Sequence, residues 1–254
     1  MARTQTIDKE FILQKVKELK INEEHLSYEE ALKVIHNGVG EGNKVGTVEE
    51  KLKIASALRT VICHEKGMDE SKIHYRLLDD TNGHQVVAPS ASWNTPSEDE
   101  QGNLFGVIKI STGMFSQRKN RDFIRILAHE FGHGNQFFTN DPVLKNPVIH
   151  DKSKKGIAAK IDSTIKWQSN DAEIAADKFA ADKYFEWIEG YARSGGKKGV
   201  VLDEKARHVA KTKSVEAMHR IGKSIAWTLQ GFKNLFGKNK QSQKSASVES
   251  QMGH

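Results

Sequence analysis

Residues 129–133 read His-Glu-Phe-Gly-His, and they constrain this chain more than any other stretch of it. Histidines four apart fall on one face of a helix, so His129 and His133 can reach one metal ion while Glu130 points aside toward a bound water. The flanking residues favour that helix. Phe123, Leu127 and Phe131 recur every four positions as an apolar stripe that seats it on a core, and nothing breaks it before Gly132. Further on, residues 170–180 read Asn-Asp-Ala-Glu-Ile-Ala-Ala-Asp-Lys-Phe-Ala. Near the head of this second helix, Glu173 is the candidate third ligand, with Asp177 one turn on and the fourth position left to water. A second reading of the same residues is structural: Asn170 is a good N-cap and Glu173 its partner three residues on, with Asp171 the nearest competing carboxylate. Two imidazoles and a carboxylate point to Zn²⁺ as the cofactor.

The two elements resemble the H-E-x-G-H and E-x-x-A-D motifs of gluzincin metallopeptidases of the CAAX-prenyl-protease and heat-shock membrane-protease type. Val107 to Phe115 is similar to the strand and turn that precede the zinc helix there, and Gln85 to Trp93 to an upstream strand, so the resemblance spans roughly residues 74–193. The phage-immunity and radiation-response metallopeptidases carry similar motifs. The resemblance implies an α+β fold, a mostly helical zincin-like metallopeptidase domain with a small sheet packed on the zinc-binding helix. It implies a metalloendopeptidase acting on a protein or peptide substrate. His129, His133 and Glu173 would hold Zn²⁺, Glu130 would act as general base on the metal's water, and Asp177 would orient a zinc histidine. A peptidase dedicated to one regulator protein, and an inactive metal-clamped interaction protein or effector, are the alternatives. This chain departs from the membrane-bound members in having no apolar run near the roughly 18 residues that a span requires. Thr212 to Ser214 and Arg220-Ile221 echo a further segment of that family, but its histidine is missing, so no transition-state role passes to His208, His219 or Arg220.

The rest of the chain organises around this centre. With 254 residues, 37% hydrophobic and 4 prolines, it can bury a substantial core. Residues 1–70 read as an N-terminal helical region: helices over 8–19 and 28–36, then one from Thr47 to Gly67, with capping boxes at Ser27/Glu30 and Thr47/Glu50. Residues 71–193 form the expected metallopeptidase core. Strands fall within 73–93 and over 104–111, and Val107 to Ser111 is a candidate edge for aligning an extended substrate, or simply a core strand. Residues 134–169 are polar and lysine-rich, a loop over the cleft with a weak helix near 156–166, and His150 there reads as exposed rather than as a ligand. The alanines at 172, 175, 176, 180 and 181 permit close approach of another helix.

Residues 200–237 form a C-terminal amphipathic region with a helix over 203–236. Its apolar positions Val215, Met218, Ile221, Ile225, Leu229, Phe232 and Phe236 are flanked by lysine and arginine. Such a helix covers a domain core, or lies on an anionic membrane surface or in a partner's groove. A nucleic-acid partner is not expected. The tail 238–254, rich in Ser, Gln and Lys, is expected to be disordered. The N-terminus has no apolar leader and Cys63 is the single cysteine, which suits cytoplasmic residence, although an unconventional export signal would leave no such mark.

Overall fold

The computed structural model describes residues 9–22, 25–78, 90–98, 104–139 and 170–249. Among the described residues, seven α-helices and three strands follow in the order α1 (Lys9–Glu18), α2 (Tyr28–Gly40), α3 (Val48–Lys66), β1 (Ile73–Leu77), β2 (Ala91–Glu98), β3 (Leu104–Ile110), α4 (Thr112–Gln117), α5 (Asn120–Phe138), α6 (Asp171–Arg193) and α7 (Lys198–Glu249). The fold is α+β, mostly helical with one small sheet. Both expected capping boxes are formed: the Ser27 and Thr47 hydroxyls accept from the Glu30 and Glu50 amides, and each glutamate returns to the cap amide. Gly67 ends α3 at φ 63, a left-handed position that only glycine adopts cheaply, and Met68 N–H then closes on the Cys63 carbonyl at 2.9 Å. Residues 156–166, where a weak helix was expected, and His150 lie outside the described residues.

Two units make up the chain. One comprises residues 1–145 and 175–212, the other 146–174 and 213–254. Within the first, Ile12, Ile35, Leu58, Phe115, Phe131, Tyr184 and Ile188 are fully or almost fully buried in one continuous apolar cluster. The expected boundary near residue 70 is therefore no boundary of packing. Helices α1 to α3 supply much of the core on which α5 rests, because none of them can bury its apolar face alone. Cys63 lies within that core, and burial pushes its thiol up to about 12. It is expected to resist alkylation at pH 8 in the native protein and to react at once in guanidinium, since the thiolate is the reactive form; fast native labelling would contradict this packing.

The sheet corrects one expectation. Strand order is β1-β3-β2, with β3 parallel to β1 and antiparallel to β2. Val107 to Ile110 thus lie in the central strand, hydrogen-bonded on both sides, and cannot align a substrate. The outer edge of β1 is occupied at Tyr75, whose N–H donates to Asn22 Oδ1 at 2.8 Å while Asn22 Nδ2 donates back to the Tyr75 carbonyl at 3.1 Å. The edge that runs beside α5 belongs to β2.

A second correction concerns the C-terminus. The helix expected over 203–236 starts at Lys198 and runs to Glu249, through most of the tail that composition marked as disordered. Residues 238–249 contain neither Gly nor Pro, and Lys, Gln and Ala tolerate helix well. Among the described residues no helix is long and apolar enough to cross a membrane.

Candidate metal centre

Helix α5 is held from its first residue. Its leading amides find acceptors in the preceding loop: Asn120 N–H donates to the Lys44 carbonyl at 2.8 Å and Arg121 N–H to that of Gly42 at 3.2 Å. Lys51, buried on α3, clamps the chain just before it by donating to the carbonyls of Met114, Phe115 and Arg118 at 3.0, 2.7 and 2.6 Å. Burial lowers the Lys51 ammonium to about 8. Arg121 reaches Glu204 on α7 at 2.9 Å and also hydrogen-bonds Asn43, and Tyr184 on α6 donates to the other Glu204 oxygen at 2.8 Å. One buried carboxylate thereby ties three helices together. The expected stripe Phe123, Leu127 and Phe131 is fully buried, which fixes the rotation of α5 and turns His129 and His133 to the opposite side.

On that side the two imidazoles meet edge to face, with centroids 4.8 Å apart and Nε2 to Nε2 3.1 Å. Their other nitrogens are engaged. His129 Nδ1 lies 2.9 Å from Asp177 Oδ1, and His133 Nδ1 lies 3.2 Å from Gln136 Oε1. A carboxylate and an amide oxygen accept, so a proton on Nδ1 of each ring suits these contacts and leaves the Nε2 atoms turned toward each other. Two nitrogens on a tetrahedral zinc ion stand about 3.3 Å apart, close to what is found here.

The third donor comes from α6. Asn170 caps that helix, its Oδ1 accepting from Ala172 N–H at 3.0 Å, so half of the structural reading of this turn holds. The same first turn also carries Glu173, and one carboxylate oxygen of Glu173 with one nitrogen from each of His129 and His133 lie within 4.8 Å of one another. Two imidazole nitrogens and one carboxylate oxygen are a donor set that suits Zn²⁺.

Close approach of the helices depends on Gly132. A Cβ there would stand 2.9 Å from the Ala176 Cα, against backbone that cannot turn aside. Gly132→Ala is expected to push α6 off α5 and to weaken metal binding about tenfold, as loss of an orienting contact typically does. Competition with a chromophoric chelator measures it, and unchanged affinity would contradict the role.

Glu130 is buried and does not join this donor set. Its Oε2 accepts from the backbone N–H of Trp93, in β2. The Trp93 indole is what places that strand: it fills the space over Gly106 and Gly134, where a Cβ would come within 2.0 and 2.9 Å of the ring, and it packs edge-on to Phe138. Neither Trp93 nor Gln136 stood out in the sequence. Gln136, three residues beyond His133 on the same helix, could have been found by asking what holds that ring.

The remaining histidine and arginine candidates are not members of the donor set. His208 is buried against Arg125, with His208 Nδ1 at 3.3 Å from Nη1, and stacks on Tyr184; burial first and then the Arg125 charge lower its pKa. Arg220 is exposed and pairs with Glu216 at 3.7 Å. Comparison of the chain with family models, with curated proteins and with solved structures finds no match.

Proposed function

We propose that this protein is a zinc-dependent metallopeptidase, and the observation that carries the reading is the convergence of His129, His133 and Glu173, whose ligand atoms lie within 4.8 Å of one another with the two Nε2 atoms 3.1 Å apart. His129, His133 and Glu173 would hold the zinc ion, which would supply Lewis acidity to a carbonyl and to a water at the site. The chain's own residues do the rest. Glu130, with Oε2 oriented by the Trp93 N–H, takes the water's proton at Oε1 and hands it to the departing amine nitrogen. Asp177 and Gln136 keep the two ring protons on Nδ1, so that neither histidine turns its lone pair away. An extended peptide lying beside β2 would bring its scissile bond next to the Glu130 carboxylate.

The test is cleavage of a proteome-derived peptide mixture by the zinc-loaded and the chelated protein, read as new N-termini by mass spectrometry. The reading predicts new termini that vanish on chelation and return with zinc. Zinc bound without any cleavage would sink it.

A further inference from the structure

The positive charge of this chain has one source. Helix α7 carries nine lysines and two arginines against four acidic residues, a surplus of seven, whereas the whole chain has a formal charge of +6. Between Ala217 and Val248 there are six basic residues and no acidic one. Everything outside α7, taken together, is slightly acidic. An isolated basic stretch of this kind attracts an anionic surface and repels a second copy of itself.

The same stretch exposes apolar side chains in register. Met218, Ile221 and Ile225 are 44%, 59% and 39% exposed, and their steps of three and four put them on one face. This overturns the simplest expectation for the helix, that its apolar positions cover a core. At about 100° per residue, Arg220 and Lys223 fall on the opposite face. Lys223 pairs there with Asp171 at 2.8 Å. The sequence continues the apolar spacing through Leu229, Phe232 and Phe236 and adds Lys233, Lys238, Lys240 and Lys244.

Charge of one sign along a regular apolar stripe distinguishes between partners. Pairing with a second copy of this helix would bring like charges together, and a partner's groove would have to offer acidic groups along the whole stretch. A lipid surface asks only for net positive charge and an uninterrupted apolar face. Among the described residues no helix is apolar enough to cross a bilayer, so the helix would lie on it.

We infer that α7 beyond Thr212 is an interfacial helix that seats its Met218, Ile221 and Ile225 face on an anionic lipid bilayer. The inference stands apart from the peptidase reading and needs no metal.

Co-sedimentation of the full chain with vesicles tests it, using mixed phosphatidylcholine and phosphatidylserine beside phosphatidylcholine alone. Binding is expected to the anionic vesicles only. Each basic residue near such a surface contributes about fivefold and is screened by salt, so high salt should release the protein. Ile221→Glu with Ile225→Glu, both at exposed positions and neither a member of the metal donor set, should lower binding at least about tenfold at unchanged helix content. Lys238→Gln, Lys240→Gln and Lys244→Gln together, which leave the stripe intact, should also lower it. Equal binding to neutral and anionic vesicles, no binding to either, or full binding by the double glutamate variant would each overturn the inference. So would a double variant whose one effect is loss of self-association or of a protein partner.

Discussion

Glu130→Gln is expected to slow peptide hydrolysis by about a thousandfold while zinc stays bound, the usual range for losing a general base being two to four powers of ten. The reason is a division of labour within five residues. His129 and His133 turn their Nε2 atoms to each other, whereas Glu130 turns instead to the Trp93 N–H. A glutamine fills the same space and still accepts from that N–H, so neither the helix nor the donor set should change. It cannot take a proton from water. Initial rates on a peptide from the cleavage screen, measured beside zinc content, separate the two effects. Near-normal turnover would remove Glu130 from the mechanism, and joint loss of zinc and turnover would make it structural.

Glu204→Leu should cost about 3–5 kcal/mol of stability, because it strands a buried guanidinium without its counter-charge. Arg121 and Tyr184 both converge on this carboxylate, and the Arg121 backbone N–H and side chain also fasten the 42–43 loop to the start of α5. For a chain of this size the loss corresponds to a fall in Tm of about 10 °C. Replacing Arg121 and Glu204 together by methionine should recover most of it, since an apolar pair of similar volume is often as good as a buried ion pair. A single variant as stable as the wild type would show that the network does not hold α5.

What the sequence disclosed and what it hid divide along the reach of the interactions. Contacts within a few turns of helix were legible: the Ser27 and Thr47 caps, the buried stripe through Phe123, Leu127 and Phe131, and two histidines on one face. The nearness of His129 to Asp177 and Glu173 was legible as well, because a metal held by two histidines would ask for a third donor and a residue behind the ring. Strand order was not. Val107 to Ile110 alternate as an edge strand might, and only their pairing with β1 and β2, settled over some thirty intervening residues, makes them central. Glu204 sits in a lysine-rich run that reads as solvated, and its burial depends on Arg121, distant in the chain. The Trp93 contact to Glu130 runs through a backbone N–H, which no residue type can advertise. Helix α7 misled in both directions: composition shortened it, and its spacing suggested a core-facing side where Met218, Ile221 and Ile225 are exposed.

The most direct test of the metal centre is zinc titration of the purified full chain in competition with a chromophoric chelator, for the wild type, His133→Ala and Glu173→Ala. The site described here predicts one zinc per chain, bound at least about a hundredfold more weakly without His133 and about tenfold or more without Glu173. No zinc in the wild type, or affinity that neither substitution changes, would contradict a metal centre built from His129, His133 and Glu173.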